Sequence, residues 1–231
     1  MPPRRALVLS GGGLFGAWQA GAWKVLAPHF APDLIVGCSI GALNGYLLAS
    51  GLAPEGLCTR WREPQDLRQI EPLLQTMTRE AHPRMPFAIT TTDLLRMKAL
   101  IVRDEAVTWQ QLAASIAVPI ALPQQKIDGR WYSDGGLLNP LPAWAAIELG
   151  ATDILALNCL AEFPSQVLKP FVQAFRAIFG YNPPVPSGVR VRCLAPSEKL
   201  GSLRDALDWK IENIDRWLGL GESDASKFLL L

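Results

Sequence analysis

The chain has 231 residues, nearly half of them apolar, and a formal net charge of +1 with no long run of one sign. That length suffices for one sizeable α/β core, and the charge balance lacks the footprint of a nucleic-acid binder or a polybasic membrane anchor. The four cysteines (Cys38, Cys58, Cys159, Cys193) form no C-x-x-C pair and only His29 and His82 could join them, so no metal site is expected and a cytoplasmic chain with reduced thiols is.

Arg4 and Arg5 precede an apolar run too short for a signal peptide, and no stretch approaches the roughly 18 apolar residues of a membrane span. Any membrane contact is therefore expected to be peripheral.

Ala6–Leu9 fits a buried parallel strand, and Ser10-Gly11-Gly12-Gly13-Leu14-Phe15-Gly16 follows at once. A helix is predicted over Ala17–Leu26 and a second strand over Asp33–Val36, so the chain opens as a βαβ unit. Gly11-x-Gly13-x-x-Gly16 also matches the dinucleotide-binding fingerprint, which needs an acidic residue at the end of the second strand. Gly37 and Cys38 stand there instead. The other use of three consecutive glycines is a loop of exposed N–H donors that an anionic oxygen can approach closely.

The second strand breaks into Gly37-Cys38-Ser39-Ile40-Gly41 and then into small, helix-compatible residues. This predicts strand, sharp turn and helix with Ser39 at the apex, where Gly37 and Gly41 relieve crowding. The N–H groups at the start of that helix, beginning with Ile40, favour negative charge developing beside Ser39. The alternative is a glycine-rich turn whose serine only caps the helix. The helix continues from Asn44 towards Leu57, with an end expected around Ser50-Gly51.

Trp61–Pro86 is polar and broken by prolines, a helical excursion near the site. His82 within it reads as an exposed loop histidine, and His29 as a partner of the first helix's C-terminus. Phe87–Thr92 is a candidate strand, Asp93–Val102 is ambiguous, and Thr108–Val118 is a predicted helix ending before Pro119. Ile127–Tyr132 predicts a hairpin turned at Asp128-Gly129, delivering Ser133-Asp134-Gly135-Gly136 into a loop.

Asp134 reads as an Asx turn, or as the base that a histidine-poor chain would need beside a serine nucleophile if desolvation raises its basicity. Beyond it come a helix over Leu141–Leu149, a strand over Asp153–Asn158 and an apolar helical stripe over Val167–Phe179. Such a stripe is a core face, or else a lid within 161–188 or a lipid-facing surface. A last strand over Val189–Leu194 and a helix over Leu203–Leu218 close the chain. One domain over 1–231 is expected, its motif-bearing core over 6–160 and its C-terminal strand and helices over 161–231.

Gly11-Gly12-Gly13-Leu14-Phe15-Gly16, Gly37-Cys38-Ser39-Ile40-Gly41 and Asp134-Gly135-Gly136, in this order and spacing, resemble the patatin-like phospholipase family. The resemblance implies a three-layer α/β/α fold with a mainly parallel sheet, and a Ser39–Asp134 dyad cleaving lipid acyl esters with no metal or cofactor. It also implies an oxyanion hole from backbone N–H groups of Gly11, Gly12 and Gly13, which Ile40 would join. Phe15 departs from the family, which often carries Arg or Lys there. Two rivals are a full triad using His82 and a non-catalytic module binding nucleotide phosphates on Gly11–Gly16.

Overall fold

The structure, a computed structural model, describes residues 4–64, 70–119 and 121–230. Residues 65–69 of the expected excursion, and Ile120, lie outside the described residues. β1 (Arg5–Leu9), β2 (Leu34–Cys38), β3 (Phe87–Asp93), β4 (Lys98–Arg103), β5 (Gln125–Ile127), β6 (Arg130–Asp134), β7 (Asp153–Leu157) and β8 (Arg190–Leu194) form one sheet. Its order is β5-β6-β3-β2-β1-β7-β8, with β4 also paired to β3. The pairings of β2, β1, β7 and β8, and of β2 with β3, are parallel, whereas β4, β5 and β6 add antiparallel partners.

The central strands are short continuous apolar runs because both faces are covered. Leu7, Leu9, Ile35, Phe87, Ile89, Leu155 and Leu157 point into one core, and the alternate residues Ala6, Val8, Leu34, Val36, Ala88, Ile154 and Ala156 into the other. The first core is closed by α1 (Gly16–Leu26), α2 (Ile40–Ala49), α3 (Pro54–Arg62), α4 (Ile70–Glu80), α5 (Trp109–Ser115) and α8 (Ile211–Phe228). The second is closed by α6 (Ala143–Glu148), with Phe175 of α7 (Lys169–Phe179) packed at its margin. Helices thus cover both faces of a mainly parallel sheet, the three-layer α/β/α arrangement expected.

Several boundaries differ from the sequence reading. β2 runs on through Gly37 and Cys38, because its pairing with β3 continues to Cys38↔Thr90. The helix after Ser39 stops at Ala49 with Ser50 as its C-cap, where its end was expected, but the residues towards Leu57 form a separate helix from Pro54, whose missing N–H suits a first helical turn. The ambiguous Asp93–Val102 segment contains most of β4, antiparallel to β3. α5 ends at Ser115, three residues short of expectation, where the Ser115 hydroxyl bonds away to the sheet. The Asp128-Gly129 turn holds, with φ 49° and 78°, but Ser133 and Asp134 are its last strand residues rather than loop.

Leu203–Leu218 is not one helix. Ser202 and Asp205 cap a single turn, the Ser202 N–H and hydroxyl both donating to Asp205 Oδ2 at 2.8 and 2.7 Å, and the turn is not continued. α8 starts only at Ile211 and runs past Leu218 to Phe228, tied to α1 by the Trp18 Nε1–H donating to Asp224 Oδ2 at 2.9 Å.

Candidate active site

β3 places the two singled-out residues side by side. A strand has two edges, and β4 takes one of them along Ala88–Asp93. β2 and β6 therefore share the other, end to end: Cys38 stands opposite Thr90 and Asp134 opposite Thr91. Where β2 breaks off at Ser39, the end of β6 supplies a carboxylate.

Ser39 itself has φ 54° and ψ −127°, an unusual conformation for a residue with a side chain. Its neighbours permit it. A Cβ on Gly37 would strike the Gly41 carbonyl and the Ala42 backbone, and one on Gly41 would strike the Leu9 carbonyl, so the turn closes only with glycine at both positions. The backbone N–H of Ser39 donates to Ser115 Oγ at 3.1 Å, and that hydroxyl donates in turn to the Thr90 carbonyl at 2.9 Å. The side chain of Ser39 makes no capping bond to α2, against the helix-cap alternative.

Asp134 is 3% exposed. Its Oδ1 accepts the Gly136 N–H at 2.6 Å, the Asx geometry anticipated for this sequence. Its Oδ2 is buried with no hydrogen bond of full geometry, while the Ser39 hydroxyl lies close enough to act on the carboxylate as a loose donor. Burial pushes the Asp134 carboxyl up to about 6, partly offset by Ser39, the Gly136 N–H and the Arg176 guanidinium. A carboxylate so tuned and carrying a free oxygen is a competent base near neutral pH.

The glycine loop divides its work. Gly11 is buried and its N–H donates to the Pro140 carbonyl at 2.8 Å, which corrects its expected place in an oxyanion hole: the donor is already used. A Cβ on Gly11 would lie 3.1 Å from Ser39 Cβ, so Gly11 instead lets the loop pass close to Ser39. Gly12 and Gly13 are partly open, and among the described residues their N–H groups and that of Ile40 have no acceptor. Gly13 has φ 59° and passes against the Ala206 carbonyl, while Leu14 N–H donates to that same carbonyl at 2.9 Å.

The supporting glycines lie against the same structure. Gly16 packs on Ile40 and Trp61, Gly135 on Thr90, and Gly136 supplies the N–H to Asp134. Phe15 is buried, its ring edge-on to Trp217 with centroids 5.1 Å apart, so this position serves packing in place of a cation. His82 is exposed in the loop feeding the start of β3, the opposite end of the strand from Thr90, and His29 is exposed as well. Neither meets Ser39.

An apolar trough leads away from Ser39. It joins two adjoining cavities that share Leu14, Ile40, Leu43 and Ile70, the one at Ser39 adding Ile116 and Leu122 and the farther one adding Leu73, Met77, Asn44 and Arg60. Sequence reasoning missed Ser115 as a partner of Ser39 and gave Arg176 no part in the site. Arg176 in fact reaches the loop after Asp134, donating to the carbonyls of Gly136 at 2.5 Å and Leu137 at 3.3 Å. Neither contact leaves a signal in local sequence pattern.

Residues 7–71 and 64–147 match the family described as Patatin-like phospholipase. Patatin-like phospholipase domain-containing protein 7 of Mus musculus is 29% identical over 182 residues, 66% of this chain and 13% of that protein. An uncharacterized NTE family protein of Mycobacterium tuberculosis is 27% identical over 197 residues, 74% of this chain and 54% of that protein. The chain thus spans a small part of the first relative and about half of the second. Among solved structures, VipD from Legionella pneumophila superposes with a TM-score of 0.59 over 99% of this chain and 67% of that one, a likeness of fold at 14% identity.

Proposed function

The chain belongs to the patatin-like phospholipase family, and from that membership and the geometry above we propose that it hydrolyses lipid acyl esters through a Ser39–Asp134 dyad. The observation that carries the proposal is the shared edge of β3, which sets a buried, half-bonded carboxylate next to a serine held at a strained apex.

In this mechanism Asp134 Oδ2 takes the hydroxyl proton as Ser39 Oγ attacks the ester carbonyl. The N–H groups of Gly12, Gly13 and Ile40 receive the oxyanion, aided by the positive end of α2. Collapse expels the alcohol, which takes the proton from Asp134, and leaves an acyl-Ser39. Water then attacks with Asp134 again as base, releasing the fatty acid and restoring the serine. The trough from Ile116 to Met77 suits the acyl chain, a mainly apolar lining that meets Asn44 and Arg60 at the end away from Ser39.

α7 supports a peripheral contact with lipid. It has no buried residue, and Val167, Phe171 and Ile178 around it are between 71 and 76% exposed. Each side chain of this size gains about 1.5–3 kcal/mol on full burial, a strong incentive to enter an interface. Among the described residues no helix is long and apolar enough to cross a membrane. The reading is tested by Asp134→Asn, which keeps the shape of the side chain but cannot accept the proton: turnover of an acyl ester should vanish in a folded protein. A folded, active Asp134→Asn contradicts the dyad.

A further inference from the structure

α7 turns two unlike faces to its surroundings. At about 100° per residue, Phe171, Ala174 and Ile178 align on one stripe, all exposed, and Arg176 falls on the opposite one. The flank and the opposite side rest on the protein: Phe175, beside the stripe, packs at the margin of the second core, and Arg176, opposite it, reaches under the helix to the Gly135–Leu137 turn.

This turn has two functions in series. Its N–H side, at Gly136, holds Asp134 Oδ1 at 2.6 Å. Its C=O side, at Gly136 and Leu137, is held by Arg176 Nη2 and Nε. Two donors in a fixed planar fork meet two consecutive carbonyls, a match that lysine, with one ammonium on a flexible stem, does not reproduce. Without Arg176 the Gly135 carbonyl still accepts the Leu138 and Asn139 N–H groups, but the Gly136 and Leu137 carbonyls lose their donors, which loosens the Gly136 peptide that holds the carboxylate.

We propose that Arg176 is a positioning residue: by clamping the Gly135–Leu137 turn it keeps the Gly136 N–H on Asp134 and so holds the free carboxylate oxygen towards Ser39. The inference rests on the reading of Asp134 as the base. The charge of Arg176 acts in the same direction. The groups facing Asp134 are the Cys38 thiol and Ser39 hydroxyl from the β2 turn, the threonines of β3, the Gly136 N–H and Arg176, and among these Arg176 is the cation. Burial pulls the Arg176 pKa down while Cys38 and Asp134 push it up, and its attraction lowers that of Asp134. Removing it lets the carboxyl keep its proton to higher pH.

The test compares wild type, Arg176→Lys and Arg176→Met on a monomeric p-nitrophenyl short-chain ester from about pH 5 to about pH 9, with folding checked by circular dichroism. For Arg176→Met the expected result is a kcat loss of about tenfold or more, KM within about twofold, and an acid limb moved to higher pH. Arg176→Lys should keep the limb near wild type and recover only part of kcat. An unmoved limb in a folded Arg176→Met overturns the proposal, even if kcat falls, since that is a structural role alone. If Arg176→Met does not fold, full kcat in Arg176→Lys overturns it. Should the wild type itself lack turnover, the proposed function fails separately. The titration of the Asp134 carboxyl, followed by carbon-13 chemical shift and assigned with Asp134→Asn, then decides: a higher midpoint in the Arg176 variants supports the clamp, and an equal one removes it.

Discussion

Ser115 Oγ accepts the backbone N–H of Ser39 at 3.1 Å. The same hydroxyl donates to the Thr90 carbonyl, so one buried side chain pins the apex of the turn to β3. Backbone held in a sparsely populated region costs about 1–3 kcal/mol and persists only where surrounding contacts fix it. Ser115 is such a contact.

Ser115→Ala leaves the buried Ser39 N–H and Thr90 carbonyl without this partner. A loss of about 1–3 kcal/mol in unfolding free energy is expected, measured by urea denaturation, together with a lower kcat. Unchanged stability and turnover would show that the turn holds its shape without the bond.

Asp134→Asn should raise stability above neutral pH while abolishing turnover. Folding lifts the carboxyl from its ordinary 3.8 to about 6, so the native state binds the proton more tightly than the unfolded chain. The buried carboxylate therefore leaves stability unaffected below about pH 4, erodes it as pH rises through this window, and exerts its full cost above about 6, on the order of 3 kcal/mol. Thermal midpoints of wild type and Asp134→Asn should converge near pH 4 and separate by pH 8, the variant being higher. A variant that is less stable at pH 8 would show that Asp134 is held by compensating contacts.

The acid limb of kcat/KM should report the same group. Activity is expected to rise through about pH 6 and then level, because the free enzyme's base must be unprotonated. A limb at the usual carboxylate pKa would place the base in water.

Phe171→Glu combined with Ile178→Glu should abolish flotation with phosphatidylcholine–phosphatidylglycerol vesicles and leave turnover of a monomeric ester intact. Both side chains are exposed on α7 and neither touches the Ser39 site. Retained flotation would move lipid contact to another surface.

Much of the fold was legible because the central strands are buried on both faces and so read as bounded apolar runs, as at Ala6–Leu9 and Ile154–Leu157. The Ser39 turn was legible because only glycine fits at Gly37 and Gly41. The neighbourhood of Ser39 and Asp134 was not: it depends on β6 taking over an edge of β3 where β2 ends, a long-range register without a local signature. Gly11 looked like its two successors, but a tertiary bond to Pro140 removes its donor. Periodicity gave the amphipathic helix α7 without saying which face turns outward, so the inward reach of Arg176 had no local signal. At Leu203 and Leu207 helical spacing was misleading because a Ser202–Asp205 cap starts a turn that ends at once.

The most direct measurement of the central claim is covalent labelling of the folded protein by a fluorophosphonate in mild detergent, with the adduct mapped by mass spectrometry. The account predicts a single adduct on Ser39, absent in Ser39→Ala and strongly slowed in Asp134→Asn. A folded wild-type protein that takes no label, or takes it on another serine, contradicts it.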